Sequence, residues 1–164
     1  MPISVRDIQE KEFSRQKRDG YNIEEVDDFL DEISDQLSVL IRENMALAEQ
    51  VKTLVIELVH RENGCLRVNL SDYLAERLRH DYDYISGIFS DVEGTTVEKF
   101  FIAQKIERVK ELLAYDEFSL SEIAGMLNYS SVAHLSAQFK RVTGLSPSAY
   151  KRAGRPGRLP LDKV

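Results

Sequence analysis

The stretch that decides the fold is SLSEIAGMLNYSSVAHLSAQFKRVTGLSPSAYKR, residues 119–152. Ser119 or Ser121 is placed to cap a short helix over Ile123–Leu127, and Ser131 to cap a second over Val132–Val142. Asn128 falls between them, where a tight turn needs a residue that tolerates unusual dihedrals. Leu135, Phe139 and Val142 recur at helical spacing and are expected to face inward. Gly144 stops the second helix, and Pro147 suits the first turn of a last short one.

The same pattern occurs upstream in NLSDYLAERLRHDYDYISGIFSDVEG, residues 69–94. Ser71 is expected to cap a helix with Leu74, Ala75 and Leu78 inward. Asp81 is expected to cap a second with Ile85, Ile88, Phe89 and Val92 inward. L-x-x-x-L-A-x-x-L…I-S-x-x-F-x-x-x-x-G here parallels I-A-x-x-L-x-Y…L-S-x-x-F-x-x-x-x-G there, so the chain contains an internal repeat. A longer helix capped by Thr96, carrying Phe100, Ile102, Ile106, Val109, Leu112 and Leu113, would hold the two lobes apart. Two helix-turn-helix lobes spaced in this way can enter successive major grooves on one face of DNA.

The arrangement resembles the DNA-binding domain of the AraC/XylS family over about residues 66–152, with the linker IAQKIERVKELL also fitting. The resemblance implies a sequence-specific transcription regulator with double-stranded DNA as partner. The DNA-facing set expected on the second recognition helix is Ser131, Val132, Ala133, Ser136, Ala137, Lys140 and Arg141. Lys140 and Arg141 suit phosphates, Ala133 and Ala137 suit thymine methyls, and Ser136 is a promiscuous hydrogen-bonder. His134 and Gln138 lie to the side. The first lobe offers Asp83, Ser86, Gly87, Ser90 and Asp91 on the matching face, and its two carboxylates repel phosphate. Ser86 is kept as a contact, and Lys99, Lys105, Arg108, Lys110, Lys151 and Arg152 are expected to supply positioning charge.

Between Ile23 and Glu62 there is no Gly or Pro. Leu30, Ile33, Leu37, Leu40, Asn44, Leu47, Val51, Leu54 and Leu58 follow one another at alternating steps of three and four, the seam of a parallel two-stranded coiled coil, the alternative being a stripe that packs on the chain's own C-terminal domain. Asn44 at an a position favours an in-register pair, because a partner Asn satisfies its amide. Asn22 is placed as N-cap, SRQKRDGYN as a basic loop, and Asn63-Gly64 as the stop.

DIQEKEFSRQKRDGYNIEEVDDFLDEI, with IRENMALAEQV after it, resembles the N-terminal domain of DivIVA and GpsB over about residues 2–53. That resemblance implies a parallel dimer and, from the GpsB groove, an arginine-bearing peptide partner received by Tyr21, Asp27 and Asp31. Asp27 and Asp31 lie one helical turn apart, which suits a guanidinium, although a solvated acidic face reads equally well. At the loop tip Gln16, Lys17 and Arg18 replace an aromatic membrane wedge, so membrane contact is expected to be weak or absent. The two families do not ordinarily share a chain, and the join near Val51–Leu54 keeps heptad phase, as a recombined or engineered fusion would.

The charge divides in the same place. The chain of 164 residues has net charge −6. Residues 1–53 carry 7 Lys/Arg against 13 Asp/Glu, a net of −6, and the remainder carries 15 of each. One cysteine, Cys65, excludes an internal disulfide and fits the cytoplasm. No segment reads as a signal peptide or membrane span, and His60, His80 and His134 lack metal-ligand spacing with Cys65. No P-loop, dinucleotide motif or nucleophile elbow is present, so no enzyme, metal or cofactor is expected. The expectation is an all-α protein with a coiled-coil dimerisation domain (1–62), a double helix-turn-helix domain (66–152) and a flexible tail (153–164). The main reading is a dimeric DNA-binding regulator. The alternative is a cell-division-type scaffold working through its N-terminal domain.

Overall fold

The computed structural model describes residues 5–16, 20–61, 68–115 and 117–153. Lys17, Arg18, Asn63, Gly64, Cys65 and the tail from residue 154 lie outside the described residues. The described residues are all-α apart from one short ribbon: α1 (Val5–Gln9), β1 (Arg15–Gln16), β2 (Gly20–Tyr21), α2 (Ile23–Arg61), α3 (Leu70–Leu78), α4 (Tyr82–Glu93), α5 (Val97–Tyr115), α6 (Leu120–Met126), α7 (Val132–Thr143) and α8 (Pro147–Arg152). Contacts divide it into two units, residues 1–46 and 47–164.

The first unit is small and held by its aromatic residues. The segment expected as a loop pairs antiparallel, Arg15 opposite Tyr21 and Gln16 opposite Gly20. Phe13 sits edge-on to Tyr21 at 6.1 Å and to Phe29 at 5.7 Å. The Lys11 ammonium lies 4.8 Å from the Phe29 ring centroid, a cation–π contact. Ser14 donates its backbone N–H to Glu25 at 2.9 Å, and its hydroxyl donates as well. These bonds hold the Glu25 carboxyl below its usual range. Asn22 caps α2, its side-chain oxygen accepting from the Glu24 N–H at 3.1 Å. Along α2, Leu30, Leu37 and Leu40 are about half exposed, and Ile33 and Asn44 are half-buried.

The second unit is built twice on one plan. In the first lobe Ala48, Val51, Val55 and Leu58 of α2 pack with Tyr73, Leu74, Ile85, Phe89, Val97 and Phe100. In the second, α5 takes the part of α2: Ile106, Val109, Leu112 and Leu113 pack with Ile123, Ala124, Leu127, Leu135, Phe139 and Tyr150. The two plans are displaced by 50 residues, from Leu70 to Leu120 and from Tyr82 to Val132. Gly94 and Gly144 each end a second helix in the left-handed conformation, at φ 67° and 77°. Each is followed by a helix whose aromatic returns to the core. Phe100 meets Phe89 at 5.6 Å and Tyr150 meets Phe139 at 5.4 Å. The repeat therefore reaches past the two helix-turn-helix motifs into the helices on either side.

Caps follow expectation in lobe two and depart from it in lobe one. Ser119 makes a full capping box with Glu122, which also holds the Glu122 carboxyl below its usual range. Ser131 accepts from the His134 N–H at 3.0 Å, and Ser146 from Ala149 at 3.2 Å. Asp81 is an N-cap without a side-chain bond, and α3 is capped at Asn69 rather than Ser71. The turns use left-handed residues that are not glycine, Arg79 at φ 57° and Asn128 at φ 52°. Val92 and Val142, expected inward, are 39% and 45% exposed. Each lies in the last turn before its glycine, where the chain leaves the core.

The larger correction concerns the heptad series. Leu47, Val51, Leu54 and Leu58 were expected on a dimer seam that ends with its own domain near residue 62. Val51 and Leu58 are instead fully buried in the chain's own first-lobe core, Leu47 is nearly so, and Leu54 packs against that core. The unit boundary falls at 46/47, inside α2. The cause is geometric. A 3.5 and a 3.6 repeat coincide over two heptads, and the added small and β-branched residues Ala48 and Val55 turn this stretch into a globular face. Leu58→Ala is expected to cost about 2–5 kcal/mol, read as a lower urea midpoint that does not depend on protein concentration. Leu37→Ala is expected to change stability only through association, so its effect scales with concentration.

Candidate nucleic-acid interface

Helix α7 presents its face through the packing opposite it. Leu135 and Phe139 are fully buried, so Ala133, His134, Ala137, Lys140 and Arg141 are exposed. Of the expected contacts, Ser136 is half-buried, and Val132 packs in part on the second-lobe core. The Ser131 hydroxyl is engaged by the cap. Gln138 accepts a hydrogen bond from the Tyr129 hydroxyl at 2.8 Å. His134 Nδ1 lies 3.0 Å from the Ser130 hydroxyl, and its ring is edge-on to Tyr129 at 5.4 Å. Burial pushes the Tyr129 hydroxyl up to about 12, so it stays a donor at neutral pH.

The matching face of α4 has the opposite character. Position for position, Asp83, Ser86, Gly87, Ser90 and Asp91 stand where α7 has Ala133, Ser136, Ala137, Lys140 and Arg141. Asp83, Gly87 and Asp91 are exposed. The Ser86 hydroxyl turns back to its own helix and donates to the Asp83 carbonyl at 3.2 Å. Tyr82 donates to Glu98 on α5, which lowers the Glu98 carboxyl, while burial together with that bond raises the Tyr82 hydroxyl. The two equivalent faces thus differ by four formal charges, −2 against +2.

The positioning cations fall into two groups. Lys99, Lys140, Arg141, Lys151 and Arg152 are exposed. Lys105, Arg108 and Lys110 are not, which corrects the expectation for α5. Lys105 is buried, its ammonium 4.0 Å from the Tyr129 ring centroid. Arg108 pairs with Glu111 at 2.9 Å, with its Nε buried and without a hydrogen-bond partner. Lys110 pairs with Glu107 at 2.5 Å. Helix α5 packs on both lobes, so most of its circumference faces protein, and Lys105, Arg108 and Lys110 are engaged there. In the first unit Tyr21, Asp27 and Asp31 are all exposed. Among the described residues no cluster of His, Cys, Asp or Glu could hold a metal ion, and no helix is long and apolar enough to cross a membrane.

These features define an all-α module of two helix-turn-helix lobes. Residues 74–153 match the family described as "Helix-turn-helix domain", and residues 3–74 match "DivIVA protein". Among solved structures the chain is similar to the C-terminal domain of AraT, a response regulator from Geobacillus stearothermophilus. The match has TM-score 0.58 and 22% identity and covers 68% of this chain and 88% of that one. It is also similar to the DNA-binding domain of AdpA, a global transcriptional factor, in complex with target DNA, with TM-score 0.55, 24% identity, and coverage of 65% and 90%. Among curated relatives, the raffinose operon regulatory protein RafR of Pediococcus pentosaceus is 31% identical over 55% of this chain and 31% of its own length. The melibiose operon regulatory protein of Escherichia coli is 27% identical over 59% and 32%. YtdP of Bacillus subtilis, an uncharacterized HTH-type transcriptional regulator, is 23% identical over 78% of this chain and 16% of its own length. The chain therefore spans less than a third of the length of these curated relatives. The two family matches meet at residue 74, within α3.

The space over the first-lobe face allows a stability test. A Cβ added at Gly87 meets nothing within 4 Å. Glycine inside a helix costs about 0.5–1 kcal/mol relative to alanine. Gly87→Ala is expected to raise the thermal midpoint by that stabilisation.

Proposed function

We propose that this chain is a non-catalytic, sequence-specific DNA-binding transcription regulator of AraC type, acting in the cytoplasm on double-stranded DNA. The observation that carries it is the exposed α7 face, with Lys140 and Arg141 beside the small residues Ala133 and Ala137. A cationic flank positions the helix against phosphate, and a low profile allows close approach to base edges. Lys99, Lys151 and Arg152 add positioning charge. Affinity resides mainly in the second lobe, because the first presents Asp83 and Asp91 at the equivalent face.

Dimerisation through Leu30, Ile33, Leu37, Leu40 and Asn44 is part of the same reading. Leu30, Leu37 and Leu40 are exposed, Ile33 and Asn44 are half-buried, and all five lie at coiled-coil spacing. The alternative scaffold role rests on Tyr21 in β2 and Asp27 and Asp31 on α2, each of them exposed, a set of residue types that suits an arginine-bearing peptide.

A mobility-shift titration against selected and random duplexes, started at about 50 mM salt, tests the DNA reading. Binding should weaken as salt rises. Lys140→Ala should weaken it on all duplexes and reduce the salt slope by about 1. Asp83→Lys combined with Asp91→Lys should strengthen it. Absence of binding to any duplex at low salt, or a Lys140→Ala protein that binds as the parent does, contradicts the reading.

A further inference from the structure

Lys105 stands out because burial of an ammonium is unfavourable, and its place in the repeat shows that the fold does not require one. The core residues of the two long helices pair Val55 with Ile106 and Leu58 with Val109, so the position equivalent to Lys105 is Leu54, half-buried against the first-lobe core. An apolar side chain serves the packing there. In the second lobe the Lys105 ammonium instead faces two rings, Tyr129 at 4.0 Å and Phe101 at 5.7 Å. Tyr129 in turn donates its hydroxyl to Gln138, on the recognition helix α7, at 2.8 Å. Tyr129 lies in the turn between α6 and α7, so the contacts run from the linker helix through the turn to the recognition helix. The first lobe has no such relay, because Leu54, His80 and Ile88 occupy the three equivalent positions.

We propose that Lys105 and Tyr129 are positioning residues: they fix the second recognition helix through Gln138 and make the second lobe the one that discriminates between DNA sequences. This rests on the DNA-binding reading above, and it deepens it. A ring held on one face by a cation and at its hydroxyl by an amide has little freedom. The helix attached to it keeps one rotation about its axis, and Ala133, Ser136 and Ala137 keep one register against the bases. Loss of the relay leaves the phosphate contacts of Lys140 and Arg141 intact, so nonspecific binding remains while discrimination falls. The polar relay and the basic face occur in the same lobe, and neither occurs in the other. Burial holds the Lys105 ammonium below its ordinary pKa, as expected for a charge kept at a cost to stability.

The test separates positioning from packing by the sign of two readouts. The full chain is used to enrich a duplex from a random pool, and the ratio of affinities for enriched and random duplexes is measured. Lys105→Met is expected to hold or raise the thermal midpoint while the ratio falls about threefold to tenfold. Tyr129→Phe should lower the ratio by a similar factor, and Lys105→Arg, which keeps the cation over the ring, should preserve it. In the free protein the Gln138 side-chain amide resonances should shift in both Lys105→Met and Tyr129→Phe. An unchanged ratio in both variants overturns the proposal. So does a ratio that falls only in step with lost stability. If the parent chain enriches no duplex, the DNA reading fails, and unmoved Gln138 resonances still overturn the relay on their own.

Discussion

The structure depends on the burial of one helical face, Ala48, Val51, Val55 and Leu58 of α2, against the first helix-turn-helix lobe. Burying a Val or Leu side chain contributes about 1.5–3 kcal/mol, and three of these four are of that kind. Lys52 adds an ion pair to Glu93 at 3.5 Å, and Glu49 beside it raises the Lys52 ammonium. His60 Nδ1 lies 3.6 Å from Glu111, which also holds Arg108. Without this stretch the first lobe would expose Leu74, Ile85 and Phe89. The helix-turn-helix module therefore begins inside α2, and the helix expected to be a dimerisation element serves as a core element over its second half.

Each of the two lobes is completed by a long helix on one side and an aromatic from the next helix on the other. Having placed two equivalent scaffolds, the chain differentiates their surfaces. The second lobe carries a capping box, capped turns, exposed Lys140 and Arg141, and a ring-centred contact to its recognition helix. The first carries unbonded caps, a left-handed arginine at its turn, a glycine in its recognition helix and two outward carboxylates. Identical packing thus supports unequal surfaces. The core fixes where a recognition helix lies, and the residues opposite the core decide what it can meet.

Much of this was legible in the residues. The repeat, the helix order, Ser119, Asn128, Ser131, Gly144 and Pro147 in their turns and caps, and the acidic character of the first lobe all follow from local chemistry and period. What period alone could not separate was the partner of a stripe. Val51 and Leu58 satisfy a heptad and a globular face equally, and only the tertiary core distinguishes the two. Charge was over-read on α5. Lys105, Arg108 and Lys110 look like phosphate contacts in a basic segment, yet they are consumed by Tyr129, Glu111 and Glu107. The carboxylates three residues away, Glu111 after Arg108 and Glu107 before Lys110, carried that signal. The pairing of residues 15–16 with 20–21 was hidden by its length, since two-residue strands have no period to read.

Amide hydrogen exchange along α2, at two protein concentrations, tests the division of that helix most directly. The account predicts that amides of residues 48–59 exchange as slowly as those around Phe89, whatever the concentration, while those of residues 30–44 gain protection only as concentration rises. If protection of residues 48–59 falls on dilution together with that of residues 30–44, while Phe89 stays protected, then the second half of α2 belongs to a dimer seam and the account is wrong.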